Sequence, residues 1–112
     1  MKIKNLKEAN NWRKKDFWPS DFTTEQLQTA VFCLDYEGKV YKHKHQLEDN
    51  YWYIVSGEGL VILDEQEIKV KEGDSLIIPK GVFHEAKTNE NQRMKILQVE
   101  CIVYSKKQKG EK

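Results

Sequence analysis

An all-β domain, closed into a small barrel or jelly roll, is what this sequence predicts, and three observations predict it. About eight short runs rich in β-branched and aromatic residues recur along the 112 residues. Turns containing glycine separate them, and no stretch sustains the 3.6-residue apolar period of a helix. A chain of this kind must close on itself or stack two sheets, because a single antiparallel sheet leaves one apolar face wet and its edges unpaired. The length suits one domain with one modest core. Within it, residues 1–27 read as an N-terminal arm or edge strand, 28–104 as the barrel and 105–112 as a charged tail expected to be disordered.

The elements follow in order. Residues 1–16 are polar and lysine-rich, so Trp12, Phe17 and Trp18 are the anchors available to the arm, and Pro19, Ser20 and Asp21 punctuate it. Thr23 and Thr24 open a turn or a short helical start. The run from Gln28 to Tyr36 is β-branched and aromatic, and Tyr36-Glu37-Gly38 closes it. A strand over Lys39–His45 comes next, followed by the polar loop 46–50. Residues 51–65 read as two strands joined in a hairpin at Ser56-Gly57-Glu58-Gly59, since glycines supply the positive φ of a tight turn. Short strands follow over 67–71 and 75–79, then Val82–Lys87 carrying His84, and a long strand over Met94–Tyr104. In that last strand an apolar set of Leu97, Val99, Cys101 and Val103 is cheaper to bury than Gln98 with Glu100, so the acid and amide are expected in solvent. The opposite register would make Gln98 and Glu100 line a pocket.

Composition excludes several function classes. With 19 basic against 18 acidic side chains, the chain has no net pull toward nucleic acid or a membrane surface. No run approaches the length of a membrane span, and the start lacks an apolar signal region, so a cytoplasmic location is expected. Cys33 and Cys101, each in an apolar run, read as reduced core thiols rather than a disulfide.

The chemistry concentrates in the histidines, of which there are three. On a strand, residues two apart share a face, so Tyr41, His43 and His45 line one side and Val40, Lys42 and Lys44 the other. Lysine is rarely buried, which turns the histidine side inward. Two imidazoles on one inner face begin a metal site, and His84 completes a set of three if the fold brings it back. By the same alternation Asn50, Trp52 and Ile54 share a face.

These residues carry a resemblance. Gly38, His43-x-His45 and Gly57 resemble the first cupin motif, and Gly73, Pro79-x-Gly81 and His84 resemble the second. The spacing departs by one residue at Gly38 and at Asn89, and Asn50 stands where the family places a glutamate ligand. The resemblance implies a double-stranded β-helix with one divalent transition metal, Fe, Mn, Ni or Zn, held by His43, His45 and His84 with Asn50 in the fourth position. Residues 50–57, together with Ile78-Pro79 and the segment 97–100, further resemble the cupin domain of bacterial type II mannose-6-phosphate isomerases. That likeness implies a small carbohydrate or sugar phosphate as substrate, Glu48 or Glu100 as base, and Tyr41, Trp52 and Gln98 as substrate contacts. The cupin resemblance itself implies a homodimer, for which Trp12, Phe17, Trp18 and Phe22 of the arm are the candidate anchor. The loss of the glutamate equally resembles three-histidine iron dioxygenases of the cupin superfamily, and a non-catalytic small-molecule-binding barrel is the third possibility.

Overall fold

The computed structural model describes residues 3–102, so the expected tail and the assignment of Val103 lie outside the described residues. Among the described residues, nine strands follow a short 3-10 turn at Leu6–Glu8: β1 (Trp12–Arg13), β2 (Phe22–Thr23), β3 (Leu27–Leu34), β4 (Lys39–His43), β5 (Glu48–Leu63), β6 (Gln66–Lys71), β7 (Ser75–Ile78), β8 (His84–Lys87) and β9 (Met94–Ile102). Their pairings are antiparallel except that of β1 with β3. The fold is all-β and is that of a jelly-roll barrel.

The barrel is organised by β5, and here the expected hairpin does not form. Residues 48–63 are one continuous strand that crosses from one sheet to the other. Its first half pairs with β9 and β7, and its second half with β6 and β8. Gly57, at φ +80, bends the strand instead of reversing it, next to a register shift between Ile54 and Ser56. A Cβ at Gly57 would stand 1.8 Å from the Arg93 carbonyl oxygen, so glycine is required by close backbone approach. The sequence signal was correct about backbone freedom and silent about the direction of the chain.

Between the sheets lies the main core, with Trp52, Ile54, Leu34, Met94, Ile96 and Val61 fully buried. Asn50, Trp52 and Ile54 point into it as alternation predicts. A second cluster of Ala9, Val31 and Cys33, with Leu6, Trp12 and Leu97 against it, covers the outer face of β3 and β9 with the N-terminal segment. Of the expected anchors, Trp18 is buried against Phe32 at 5.3 Å between ring centroids, and Trp12 packs in the second cluster. Phe17 is not an anchor: it is 73% exposed. Thr24 makes the expected turn, its hydroxyl accepting from the Leu27 amide at 3.0 Å. Both cysteines are free thiols, and burial pushes the Cys33 thiol up from its usual value.

Two face assignments are corrected. Residues 40–43 of β4 oppose only 84–86 of β8, so a bulge inserts one extra residue. Val40 therefore shares the inner side with His43 and is buried, while Tyr41 turns outward and is 53% exposed. Lys42 and Lys44 do face out, with their ammonium groups over the Phe83 ring. In β9, Met94 and Ile96 point into the main core, and Gln98 and Glu100 follow them toward the barrel mouth rather than into solvent. The apolar count misjudged this strand because its other face is covered too. Leu97 finds a place under the N-terminal segment, so both faces reward apolar residues and alternation alone has no preference.

Candidate metal centre

The three histidines converge at the mouth of the barrel. His43 ends β4, His45 lies just beyond it, and His84 opens β8 directly opposite His43 in the ladder. Ring centroids are 4.2 Å apart for His43 and His84, 5.0 Å for His43 and His45, and 5.3 Å for His45 and His84. One nitrogen from each lies within 4.8 Å of the others. A cation with bonds of about 2.1 Å holds its donors roughly 3–4 Å apart, so the cluster needs only a small contraction to serve as a ligand set.

Each ring has its Nδ1 side occupied. His43 Nδ1 lies 2.6 Å from the Tyr41 carbonyl oxygen and His84 Nδ1 lies 3.1 Å from that of Val82. A carbonyl only accepts, so in both rings Nδ1–H is the donor and Nε2 keeps its lone pair. His45 Nδ1 instead faces Glu48 Oε1 at 3.5 Å, and its Nε2 lies 3.4 Å from Glu100 Oε2 without hydrogen-bond alignment. The Nε2 atoms of His45 and His84 are buried without a hydrogen-bond partner. His84 is 1% exposed, and burial holds its pKa down at about 4, helped by His43 and His45 and opposed by the Val82 carbonyl. It is a neutral imidazole at neutral pH, the form that binds metal.

Asn50, on β5 beside Glu100, is a further buried polar group. It is 1% exposed, and neither its amide oxygen nor its nitrogen has a partner. An unsatisfied buried polar group costs about 1–3 kcal/mol, a cost that a ligand at the site would relieve. Its cross-strand neighbour on β9 is Glu100. Burial raises the Glu100 pKa above the ordinary carboxyl range, reinforced by Glu48 and opposed by His45 and His43. Together the donors suit a divalent transition metal: three imidazole nitrogens, with two carboxyl groups, Glu48 and Glu100, grouped with His45.

Trp52 lies beneath the site with no exposed surface. Its Nε1–H donates to Gln98 Oε1 at 2.9 Å, and its ring meets His84 edge-on at 5.6 Å. It thus fixes the Gln98 amide and the His84 ring from below, and Gln98 itself lines the pocket. That pocket, of about 390 Å³, is bounded on one side by His43, His45, Gln98 and Glu100. Its other side is built by Phe32 of β3 and by Asp16, Phe17 and Trp18 of the arm, with Tyr41 at the edge. Sequence reasoning missed this role of the arm. The aromatic cluster was visible, but nothing local to residues 16–18 tells that they reach the histidines.

The comparisons with known proteins agree with the fold. A family model described as the cupin domain matches residues 30–100. The uncharacterized protein MJ1618 of Methanocaldococcus jannaschii is 37% identical over 79 residues, which cover 70% of this chain but only 63% of that protein. The uncharacterized protein YdbB of Bacillus subtilis is 31% identical over 83 residues, covering 71% of this chain and 70% of that one. Among solved structures, TT1209 from Thermus thermophilus superposes with a TM-score of 0.82 at 23% identity, covering 93% of this chain and 100% of that one. KdgF from Halomonas sp. does so with a TM-score of 0.67 at 20% identity, covering 77% and 79%. At these identities the structural likenesses show the fold alone.

Proposed function

This chain belongs to the cupin domain family, and on that premise we propose that it is a metal-dependent enzyme moving a proton on a small polyoxygenated substrate, in the manner of an aldose–ketose isomerase. The observation that carries the reading is the position of Glu100. Its carboxyl group points into the pocket, 3.4 Å from His45 and one strand away from the buried Asn50.

His43, His45 and His84 would hold the metal, and Asn50, whose buried amide has no partner, would take the fourth position that the family motif assigns it. A divalent cation bound there supplies a Lewis acid for a carbonyl oxygen. Glu100 would act as the base: it takes the proton from the hydroxyl-bearing carbon next to the carbonyl and returns it to the former carbonyl carbon, while the hydroxyl proton passes to the former carbonyl oxygen. Gln98, fixed by Trp52, presents its amide N–H to a substrate hydroxyl. Glu48, whose carboxylate lies 3.5 Å from His45 Nδ1, would favour the proton on that nitrogen and leave Nε2 as the donor. Trp52 and the aromatic side of the pocket restrict water at the reacting end.

One observation favours a second reading. The neutral donor set, three imidazoles with an amide in place of a carboxylate, suits iron and oxygen chemistry. Elemental analysis of untagged protein, with His45→Ala and His84→Ala alongside, tests both. About one transition metal per chain, lost in both variants, is the expected result. Zinc or manganese with interconversion of aldoses and ketoses supports the isomerase, and iron with oxygen uptake supports the dioxygenase. Protein that carries no metal, and whose melting temperature does not rise when metal is added, sinks both and leaves a binding barrel.

A further inference from the structure

We propose that the pocket selects a small oxygen-bearing ligand whose far end is a flat apolar group without phosphate, that end resting on the wall formed by the arm. The inference rests on the reading of this pocket as the substrate site. It narrows the substrate class and argues against a sugar phosphate.

The wall opposite the histidines is aromatic and held in place. Phe17 lines the mouth while remaining 73% exposed, an unusual position for a large aromatic ring. Its backbone is nevertheless tied down. Arg13 Nη1 donates to the Phe17 carbonyl, the neighbouring Trp18 Nε1–H donates to the Asn11 carbonyl at 3.1 Å, and Gln28 Nε2 donates to Ser20 Oγ. Asp16, just before it, adopts φ 103, a conformation that costs free energy in a residue with a side chain. An exposed ring on a strained and pinned segment is preorganised for something that covers it.

Charge points the same way. The charged side chains lining this pocket are Asp16 and Glu100, both acids, and among the described residues no lysine or arginine joins them. Of the cations around it, Lys42 and Lys44 are turned away over Phe83, Lys39 lies over the Tyr41 ring, and Arg13 is held by the Phe17 carbonyl. A phosphate at the arm end would meet the Asp16 carboxyl group in the lining, while the Arg13 guanidinium nearby is outside the lining and engaged by the Phe17 carbonyl. A flat apolar group would cover Phe17, and the oxygens at its other end would face Gln98 and the histidines.

Three vicinal diols isolate the far group: glycerol, α-glycerol phosphate and phenylethylene glycol. Each is titrated into the full chain, once loaded with zinc and once treated with chelator, and followed by amide NMR. Phenylethylene glycol is expected to bind at least about tenfold more tightly than glycerol, and α-glycerol phosphate no more tightly than glycerol. Phe17→Ala is expected to remove most of the phenyl advantage over glycerol and to leave the melting temperature unchanged. Tightest binding by α-glycerol phosphate, equal binding of all three, or an undiminished phenyl preference in Phe17→Ala overturns the proposal. The wall is made of protein alone, so the preference is expected in the chelated protein as well. If metal fails to bind but the preference persists, the metal reading falls while this one stands; if metal binds and the preference is absent, this one falls alone.

Discussion

Behind one wall of the pocket His84 and Asn50 are each 1% exposed and Trp52 has no exposed surface; on the other wall Phe17 is 73% exposed. The histidine wall is set by paired strands, with β4 against β8 and β5 against β9, so its donors inherit their places from ladders, except His45, which lies just past the end of β4. The arm wall is held by a few side-chain hydrogen bonds to a segment without regular structure. The difference separates two tasks. Groups that do chemistry need fixed positions and low dielectric, which strands and burial provide. Groups that choose among ligands can sit on the surface, where substitution has little effect on folding.

The comparison can be broken most severely at Trp52. Replacing it by Ala removes the largest buried side chain and is expected to cost about 3–5 kcal/mol in urea unfolding. A loss below about 1 kcal/mol would mean that the histidine wall does not rest on it. Acid is next. In chelated protein the folded-state pKa of His84 lies at about 4, below its value in the unfolded chain. The unfolded state thus binds the extra proton first, so stability is fully present above about pH 6.5 and falls as pH drops toward 4, by on the order of 3 kcal/mol. His84→Gln should flatten this window, and an unchanged pH dependence in that variant would assign the effect elsewhere.

Two smaller effects sharpen the contrast. Glu48→Gln leaves the fold intact but weakens its hold on His45 Nδ1, and a 10–100-fold loss of zinc affinity is expected by calorimetry, about the size typical of a partner behind a metal ligand. Affinity equal to wild type would show that His45 needs no such support. Phe17→Ala should shift stability by no more than about 0.5 kcal/mol in the same unfolding assay. A larger loss would make the arm wall structural.

How far the site was legible depends on the range of the information. His43, His45 and His84 were visible because short motifs encode them, and Asn50 with Trp52 and Ile54 followed from strand alternation alone. Val40 and Tyr41 were assigned to the wrong faces because a one-residue bulge depends on the partner strand β8, which no local window contains. Gln98 and Glu100 were expected in solvent because the cover over Leu97 comes from residues far earlier in the chain. The same distance hid the arm.

The sequence by itself determined that the chain is all-β, that glycines would loosen it near residue 57, and that three imidazoles sit at spacings able to meet. These are properties of neighbouring residues and of side-chain type. Only the tertiary structure decided that Gly57 bends β5 from one sheet into the other instead of turning it back, that Glu100 faces the histidines, and that Phe17 closes the pocket from the far side. Each of those depends on which surface lies opposite, and the surface opposite is supplied by a strand or segment distant in sequence: β9 for Gly57, β5 for Glu100, and the histidine strands for the arm.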